Sequence, residues 1–463
     1  MLEYFLEFIN TYIFGPGLCA AVFLGGIYFL LRLGPSFLFH PQRLLMSLHS
    51  GGGSGMSPIR AMIVALAGTL GVGNIAGVAS AIAIGGAGAV FWMLVSAVAA
   101  LPIKYAEIVL ALRHRRRDSM GTPHGGAYFY IADRGTRSSK LTASVFAVLC
   151  LAASLAMGCA VQSNAIAVTV SDTLGLPPIV CGLAVGVLTL TVAAGGLKRI
   201  ALLTEKLIPL MSGIYILMSL YIIGGNLPLL GEIVRDIVTA AFDLSAVGGG
   251  VIGFITSRAL RIGVTRGIVS NESGCGTAPI AHASAETASP ASQGVWGMLE
   301  VFIDTVVICT LTAFVVLIAQ KHGTPPVTDG MAAAVNAFGV FIPFAEPILC
   351  ISVAVFAFCT IVCWFYYGTE SLAYLTQSTR ARYAYLIVYS ACAVVGGVVS
   401  DGIVWSFSDL TISAMCAVNL VAVMLGAKEI KRETDNYFCR KECKIVNNDI
   451  PILHNTVAKS RKV

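Results

Sequence analysis

Residues 68–74 read Gly-Thr-Leu-Gly-Val-Gly-Asn and interrupt an otherwise apolar run from Ser57 to Gly85. Each of the three glycines weakens a helix by about 1 kcal/mol relative to alanine. Thr69 and Asn74 add polar groups at a depth where unpaired dipoles are costly. A membrane helix of this kind is tolerated when its freed backbone groups face protein, water, an ion or a ligand. The pattern predicts a broken, ligand-binding helix or, because G-x-x-x-G spacing is common in membranes, a packing face of small residues.

In a broken helix, the N–H groups of Val72 and Gly73 are free to receive an anion such as a carboxylate. Glycine, here Gly71 and Gly73, permits the close backbone approach that this requires. Gln162 lies in the apolar segment MGCAVQSNAIAVTV. Its amide can bind such a carboxylate, hold the broken helix, or form an ordinary hydrogen bond between two helices.

The segment VAVFAFCTIVCWFYYG carries Thr360 and Trp364, which are four residues apart and therefore share one helix face. A tryptophan at this depth caps a pocket for a small side chain, whereas an interfacial anchor lies nearer the end of a span. The position of Trp364 leaves both alternatives open.

Intramembrane carboxylates cost about 2.5–3.5 kcal/mol at a helix centre and therefore indicate function. Asp304, in VFIDTVVICTLTA, is the deepest; it is a candidate cation ligand, proton site or partner in a buried polar cluster. Glu107 is one helical turn from Lys104, and we expect a local structural pair. We expect Glu300 to reach the membrane interface.

Composition indicates an integral membrane protein. Hydrophobic residues make up 57% of the 463 residues and charged residues 12%, whereas soluble domains are about half apolar and about a quarter charged. Thirteen cysteines include no C-x-x-C pair, which argues against metal or disulfide chemistry. We predict an all-α polytopic protein with about eleven transmembrane helices, at roughly 11–31, 57–84, 87–112, 141–170, 176–195, 204–224, 244–262, 292–319, 346–372, 383–400 and 404–426.

Charge placement predicts the orientation, because cytoplasmic segments are enriched in Lys and Arg. With the N-terminus outside, 27 of the 30 basic residues fall on the cytoplasmic side. The outer loops keep Arg235 and Lys321, and Lys104 lies within a span. The C-terminus is then cytoplasmic, and we expect its tail, 427–463, to be mostly disordered.

Ten spans remain once the first helix is set aside. We predict an N-terminal helix and linker (1–56), a first five-helix repeat (57–225) and a second five-helix repeat (226–426). The second repeat opens with the span 244–262, whose glycine cluster includes Gly249. Interrupted helices at matching positions indicate an inverted-repeat transporter with its site at the midplane; the alternative is that glycine is simply frequent in membrane helices.

The string AGTLGVGNIAGVASAIAIGGAGAVFWMLVSA resembles the signature of the alanine or glycine:cation symporter family, also called sodium:alanine symporters or amino acid carrier proteins. The resemblance covers roughly residues 50–425 and includes a Q-x-N element at Gln162, F-I-D-T at Asp304, and F-x-F-x-T…W-x-Y-Y-G. It implies a LeuT-type fold with a 5+5 inverted repeat and one extra N-terminal helix, in a prokaryotic cell (inner) membrane.

The resemblance also implies site residues. The substrate would contact Thr69, Gly71, Val72, Gly73, Asn74, Gln162, Ile166, Thr360 and Trp364. Na⁺ would take carbonyl oxygens of Ala67, Leu70 and Phe356 and the Thr360 hydroxyl, with Cys359 a departure because a thiol is a poor ligand for a hard ion. A second cation site would involve Thr69 and Asn74.

The segment 263–286 resembles the family string G-x-x-R-G-x-x-S-N-E-A-G-x-G-x-A-P-I-A. Its polarity excludes a lipid-facing helix. We predict a packed inner loop that acts as an internal gate, with Arg266 and Glu272 as an ion pair; a purely structural loop is the alternative. Gly249 and Asp304 are further candidates for gating or coupling.

The resemblance implies import of a small neutral amino acid, of the alanine or glycine type, coupled to Na⁺ by alternating access, with no cofactor. The alternatives are a proton- or sodium-coupled carrier of another small solute or, with less support, a channel. Cys363, Phe365 and Thr369 depart from the usual family pattern beside Trp364, so the pocket can favour a different small amino acid. Histidines are scattered and no catalytic string appears, which argues against an enzyme.

Overall fold

The computed structural model of the chain describes residues 15–34, 56–119, 121–242, 258–287, 289–399 and 401–448. The described chain is almost wholly helical. Its α-helices are α1 (Gly15–Leu33), α2 (Pro58–Thr69), α3 (Ala76–Gly85), α4 (Gly88–Arg113), α5 (Ala127–Ala132), α6 (Arg137–Leu155), α7 (Gln162–Leu174), α8 (Pro178–Ala193), α9 (Gly196–Gly225), α10 (Leu227–Ala241), α11 (Arg258–Asn271), α12 (Ala278–Ala283), α13 (Pro290–Val301), α14 (Thr310–Lys321), α15 (Gly330–Gly339), α16 (Ala345–Leu375), α17 (Thr379–Gly396), α18 (Asp401–Leu425) and α19 (Ala427–Asn448).

Three shorter elements join some of these helices. A 3₁₀ turn covers Val72–Asn74, and π-helical stretches at Ala156–Val161 and Phe302–Cys309 make α6–α7 and α13–α14 continuous. After α4, the two-residue strands β1 (Arg116–Arg117) and β2 (Pro123–His124) pair antiparallel. The longest apolar elements are thus two long helices with a π-helical interior and several uninterrupted ones.

Six helical segments within the described ranges are long and apolar enough to cross a membrane. They are Gly88–Arg113, Arg137–Leu174, Gly196–Gly225, Pro290–Lys321, Ala345–Leu375 and Val404–Leu425. A seventh is the bent pair α2 and α3, and Gly17–Leu33 and α8 are shorter apolar helices. The chain is therefore an integral membrane protein of helical type, and the count of about eleven spans stays a prediction.

The predicted break in the first broken helix is present. α2 starts at a Ser57 N-cap, whose hydroxyl accepts from the Arg60 N–H, and ends at Thr69. The chain then passes through an extended Gly71 into the 3₁₀ turn before α3 begins. The two halves are bent by 68°. The glycines between them, rather than a continuous packing face, set this geometry.

A second break lies at 272–277, where the sequence predicted an inner loop. α11 and α12 flank it, so 263–286 is mostly a broken helix, and the loop prediction is wrong. Glu272, Gly274 and Gly276 have φ values of 52°, 82° and 78°, a left-handed conformation that ends a right-handed helix. The sequence also predicted a break within 244–262, at the glycine cluster that includes Gly249. Residues 243–257 lie outside the part of the chain that the structure describes.

Each broken helix is followed by four helical segments of at least 16 residues, with the tail helix α19 left aside. After α2–α3 come α4, α6–α7, α8 and α9; after α11–α12 come α13–α14, α16, α17 and α18. This order is compatible with two sets of five, and the division into two five-helix repeats stays a prediction because residues 243–257 lie outside the described part. The domain boundaries themselves stay predictions.

The basic helix α11 packs against the first part of α4. A Cβ added at Gly263 would lie 2.3 Å from the backbone oxygen of Ala89, near the start of α4. In the predicted topology that start is outside, and the end of α4 at Arg113 is inside. Within that predicted topology, Arg258, Arg261 and Arg266 would lie nearer the outer side than the cytoplasmic side, and the side on which they lie stays a prediction. The remaining basic residues still favour the same orientation.

The start of α2 and the segment after α12 meet at one end of the molecule, which we call the Met56 end. Met56 forms a parallel bridge with Ala285, and its carbonyl accepts from the Glu286 N–H at 2.8 Å. Each broken helix therefore has one half that reaches the Met56 end. This half is α2 in the first broken helix and α12 in the second.

The tail is ordered further than the sequence predicted. α19 reaches Asn448, and its buried residues Ala427, Ile430 and Thr434 recur every three or four positions. The Thr434 hydroxyl lies 2.8 Å from the Tyr105 hydroxyl on α4. This helical spacing was missed among the charges, so the disorder prediction is wrong for these residues; 449–463 lie outside the described part.

We predict that Gly276→Ala lowers the free energy of unfolding by about 2–4 kcal/mol. Gly276 has φ 78°, and a Cβ there would lie 2.8 Å from Phe146 Cζ and 2.9 Å from Ala127 Cβ. Thermal unfolding in detergent measures the effect. Gly323→Ala is the matched control, because Gly323 has φ 90° with open space around it. Equal melting temperatures of the two variants would show that the second break is not tightly packed.

Candidate functional site

The first break is held open by side chains that only a glycine at position 71 admits. A Cβ at Gly71 would lie 2.9 Å from Gln162 Oε1 and 3.0 Å from Thr360 Oγ1. The Gly71 N–H donates to Asn74 Oδ1 at 3.1 Å, and the Val72 N–H donates to Gln162 Oε1 at 3.3 Å. Freed backbone amides of the break are thus satisfied by side-chain oxygens.

Gln162 reaches the break through an irregular helix. It is the first residue of α7, directly after the π-helical stretch Ala156–Val161, a feature that is frequent at functional sites. Its amide nitrogen donates to the Met157 carbonyl at 3.3 Å, so its oxygen points to Val72. Among the predicted alternatives, this geometry favours holding the broken helix. Ile166 is buried one turn further along.

Thr360 on α16 places its hydroxyl oxygen among three backbone carbonyls. The distances are 3.0 Å to Ala67 O, 3.3 Å to Leu70 O and 3.1 Å to Phe356 O. A hydroxyl has one proton and can donate to only one of them. Since Ala67 and Leu70 lie at the end of α2, their carbonyls also carry the negative end of the helix dipole.

These four oxygens form what we call the Thr360 cage, and its chemistry suits a hard cation such as Na⁺, which prefers oxygen ligands. The resemblance implied the same four residues. Cys359, the neighbour of Thr360, is fully buried, and its thiol makes no hydrogen bond within the described part of the chain. The ion itself stays a prediction.

Asp304 joins the two broken helices. Its Oδ1 accepts from Asn74 Nδ2 at 2.7 Å, and its Oδ2 accepts from the hydroxyls of Ser270 at 2.6 Å and Thr305 at 2.8 Å. Asn74 belongs to the first break and Ser270 to the last turn of α11. We call these four residues the Asp304 cluster. It is a carboxylate with three neutral hydrogen-bond donors, and this group fits a cation or a proton.

The second cation site implied for Thr69 and Asn74 is not formed as predicted. The Thr69 hydroxyl donates to the Leu66 carbonyl within its own helix, at 3.2 Å, while Asn74 faces Asp304. Ser270 and Thr305 were missed by sequence reasoning. Both stand beside residues that the sequence did single out, but nothing in the spacing shows that positions so far apart in the chain meet.

Trp364 bridges the two breaks. Its indole N–H lies 3.3 Å from the Gly68 carbonyl and 3.2 Å from Glu272 Oε1. Its side chain packs against Gly158, where a Cβ would lie 2.2 Å from Trp364 Cβ. Because Trp364 is fully buried, the interfacial-anchor alternative does not fit.

Arg266 and Glu272 do not form the predicted ion pair in the described structure. The Arg266 guanidinium lies over the Trp405 ring, 5.0 Å from its centroid. Glu272 is fully engaged elsewhere, with its Oε2 accepting from the Thr277 hydroxyl at 2.6 Å. The two residues are six positions apart at the end of α11, and side chains at that spacing do not share a helix face.

A buried charge cluster lies beside the second break. Lys104 Nζ is 3.4 Å from Glu300 Oε1 and 3.9 Å from Glu107 Oε1. The local pair that the sequence predicted is therefore the longer of the two contacts. Glu300 is fully buried, so the prediction that it reaches the interface is wrong; its carboxylate is retained inside by Lys104 and by His282.

A cavity of about 440 Å³ gives access to the first break from the side of α3. Val72 lines it, and so do Ser80 on α3, Asn164 on α7 and Arg266 on α11. Trp364 contacts Gly68 at the end of α2 and does not line this cavity.

Comparison with known proteins identifies the family. A model of the sodium:alanine symporter family matches residues 1–449. The chain belongs to this family. It is 35% identical over 437 residues to the sodium/alanine symporter AgcS of Methanococcus maripaludis, with 92% of this chain and 95% of that protein covered. It is 31% identical over 465 residues to the probable sodium/glutamine symporter GlnT of Bacillus subtilis, with 99% and 95% covered.

A solved structure shows the fold. The structure of a Na⁺-coupled sialic acid symporter in its substrate-bound, outward-open state superposes with a TM-score of 0.51 at 14% identity, covering 92% of this chain and 86% of that chain. The family, rather than this likeness, makes the chain a cation-coupled amino-acid transporter of the membrane and not an enzyme. Na⁺ is the co-transported ion of this family.

We predict that Thr360→Val weakens Na⁺ binding about tenfold, because one of the four oxygens of the cage is lost. The measurement is the rise in melting temperature produced by NaCl relative to KCl, titrated to saturation. Thr369→Val is the matched control, since the Thr369 hydroxyl donates to the Phe365 carbonyl of the same helix at 2.8 Å. An unchanged Na⁺ titration in Thr360→Val would show that Na⁺ does not bind in the Thr360 cage.

Proposed function

We propose that the protein imports a small neutral amino acid, of the alanine or glycine type, together with Na⁺ by alternating access. The observation that carries this proposal is the Thr360 cage, in which a long helix supplies a hydroxyl to the open carbonyls at the end of a broken one. An ion there organises the first break and so prepares the backbone for the substrate. The family supports Na⁺ as the ion.

The substrate carboxylate binds at Val72 and Gly73, where the 3₁₀ turn begins. In the present conformation Gln162 Oε1 occupies the Val72 N–H, so an incoming carboxylate takes over this hydrogen bond and Gln162 turns its amide nitrogen to the substrate. Ile166 and Trp364 bound the side-chain end of the pocket. The name of the relative AgcS, a sodium/alanine symporter, supports a small substrate; that of GlnT supports a larger one.

Three departures from the family pattern near Trp364 do not change the pocket directly. The Cys363 thiol donates to the Val64 carbonyl at 3.3 Å. Phe365 stacks on Tyr385 of α17 with ring centroids 5.4 Å apart, and Thr369 bonds within its own helix. Their contacts lead away from the first break. These three departures therefore give no reason to replace the alanine- or glycine-type substrate by another amino acid.

The proposed architecture is the LeuT-type inverted repeat, with α2–α9 and α11–α18 as its two halves and α1 outside them. We propose that the N-terminus is outside and the C-terminus cytoplasmic in a prokaryotic cell membrane. The Met56 end is then cytoplasmic, and the cavity beside Val72 opens outward. Sodium and substrate enter through that cavity and leave past the Met56 end.

The Asp304 cluster is proposed as the second coupling element. Asp304 bears a charge that no basic side chain of the cluster balances, and it holds Asn74 and Ser270 of the two broken helices together. A cation at this point would neutralise Asp304 and strengthen the contact between the two breaks. Loss of the cation would weaken the contact, which is the behaviour expected of a coupling site.

Uptake of labelled alanine into proteoliposomes tests the proposed function. One net charge moving inward across about 100 mV supplies about 2.3 kcal/mol, which corresponds to roughly 50-fold accumulation. We expect uptake with an inward Na⁺ gradient, competition by glycine, and no uptake with an inward K⁺ gradient or a pH gradient alone. If folded protein takes up no alanine, the proposed substrate is wrong. If a pH gradient alone drives uptake, the proposed ion is wrong.

We predict that Asp304→Asn raises the Na⁺ concentration for half-maximal uptake at least about tenfold, because a charged ligand is replaced by a neutral one of the same size. The variant should fold, since removing an unbalanced buried charge lowers a desolvation cost. Asp172→Asn, at an exposed carboxylate of α7, is the control. A wild-type Na⁺ dependence in Asp304→Asn would limit Asp304 to a structural role.

A further inference from the structure

A chain of hydrogen bonds ties the two broken helices together at the Met56 end. Gln293 on α13 donates from Nε2 to the carbonyl of Pro58, the first residue of α2, at 3.3 Å, and to His282 Nδ1 on α12 at 2.8 Å. His282 Nε2 lies 2.9 Å from Glu300 Oε2. The side chains of His282, Gln293 and Glu300 are all fully buried. We call the contact between Pro58, Gln293 and His282 the latch.

The latch requires a neutral His282. Since the amide nitrogen of Gln293 directs a hydrogen to Nδ1, that atom must be an acceptor, and Nε2 must carry the ring hydrogen that Glu300 accepts. Gln293 Oε1, by contrast, is buried without a hydrogen-bond partner among the described residues. An orphaned buried acceptor is costly, so the neutral latch contains one unsatisfied atom whose natural partner would be a second proton on His282.

Carboxyl groups outnumber ammonium groups around His282. Among the described residues of the buried cluster, Lys104 is the one ammonium group, and it faces the carboxyl groups of Glu300 and Glu107 and that of Glu272. All four side chains are buried. Burial without a balancing charge favours neutral carboxyl groups, so these surroundings favour proton uptake, and the imidazole of His282 is one of the groups that can hold the proton.

The other titratable groups near His282 act from three sides. From the end of α4, Arg115 donates to the carbonyls of Ala283 and Ala285 at 3.4 and 2.7 Å. Tyr366 and Glu370 lie on α16, and Glu370 is bound to His124 at 2.7 Å. Cys275 lies in the second break. Arg115 is engaged with backbone oxygens, and Arg117 is paired with Glu286 just beyond them, at 2.8 Å.

We propose that His282 is a proton-binding site whose occupation opens the latch. A proton on Nδ1 turns that atom from acceptor to donor, so Gln293 must present Oε1 in place of Nε2. Turning the amide over gives Oε1 a hydrogen-bond donor on His282 and moves Nε2 to the side where Oε1 had no partner within the described structure. It also removes the donor from the Pro58 carbonyl. Proton binding and release of the start of α2 are thereby one event.

The proton site differs from the proposed sodium site in ligand and location. The Thr360 cage lies at the end of α2 next to the break, whereas the latch holds the first residue of the same helix. If the proposed alternating access is correct, release of α2 at the Met56 end opens the α2 side of the break, where Trp364 contacts Gly68. Acidification at that end then favours the conformation from which substrate leaves.

Amide hydrogen exchange of the full chain in detergent tests the latch without any substrate. The observable is the protection of the α2 amides after correction for the intrinsic pH dependence of exchange. One interhelical hydrogen bond of the strength usual in membranes corresponds to a change of about threefold. We expect wild-type protection of α2 to fall about threefold between about pH 8 and about pH 6, and the protection in His282→Gln not to change over that interval.

Two further variants complete the test. In Gln293→Leu the latch is absent, so α2 should be weakly protected at both pH values; this variant decides the matter alone if His282→Gln does not fold. His124→Gln is the matched control, because His124 also titrates, with its pKa raised by a hydrogen bond to Glu370, but makes no latch contact; it should keep the wild-type response. A pH response that persists in His282→Gln or Gln293→Leu, or no response in the wild type, would overturn the proposal. Because no transport is measured, this outcome is independent of whether alanine and Na⁺ are carried.

Discussion

The structure depends on satisfying the backbone groups of two chain breaks at membrane depth. Lipid offers no hydrogen bonds, so every amide and carbonyl freed at a break needs a protein partner, an ion or a ligand. At the first break Asn74 and Gln162 accept from the amides of Gly71 and Val72. At the second break Asn271 Oδ1 accepts from the Ser273 N–H at 3.0 Å, and Glu107 Oε2 accepts from the Gly276 N–H at 3.2 Å. Buried polar residues that look expensive in the sequence are thus the partners of freed amides.

At the first break the amides of Gly71 and Val72 have side-chain acceptors, whereas three backbone carbonyls lie around the Thr360 hydroxyl, and this difference supports the proposal of a cation there. A side-chain oxygen can cover a freed N–H, but the open carbonyls at the end of α2 face one another around the single proton of Thr360. These carbonyl oxygens have too few hydrogen-bond donors, and a cation would balance their partial negative charges. In the Asp304 cluster and in the cluster around Lys104, carboxyl groups likewise outnumber cationic side chains.

The sequence predicted the first break, the membrane class and the four residues of the Thr360 cage, because each has a local or family-wide signature. Glycines at 68–73 stand out in an apolar run, and Thr360 lies in a recognisable element. Prediction from the sequence failed where the contacting residues are far apart in the chain. Ser270 meets Asp304 only in three dimensions, and the second break was hidden because α11 carries arginines and is too polar to look like a membrane helix. The tail helix failed for another reason: its apolar spacing is sparse among many charges.

Links between the breaks explain how an ion at one point can act on the whole molecule. Trp364 bonds to Gly68 and Glu272, and Asp304 bonds to Asn74 and Ser270, so neither broken helix can move without changing the partners of the other. Coupling of this kind needs discrete arrangements rather than gradual deformation. Gln293 provides one at the Met56 end, because its amide has two orientations that satisfy different neighbours. In these proposals the cavity side of the first break responds to a cation at Asp304 or in the Thr360 cage. The Met56 end responds to a proton on His282. A carrier must never open both sides together, and the proposed cation sites, which act on opposite ends of α2, allow each side to be controlled by its own ion.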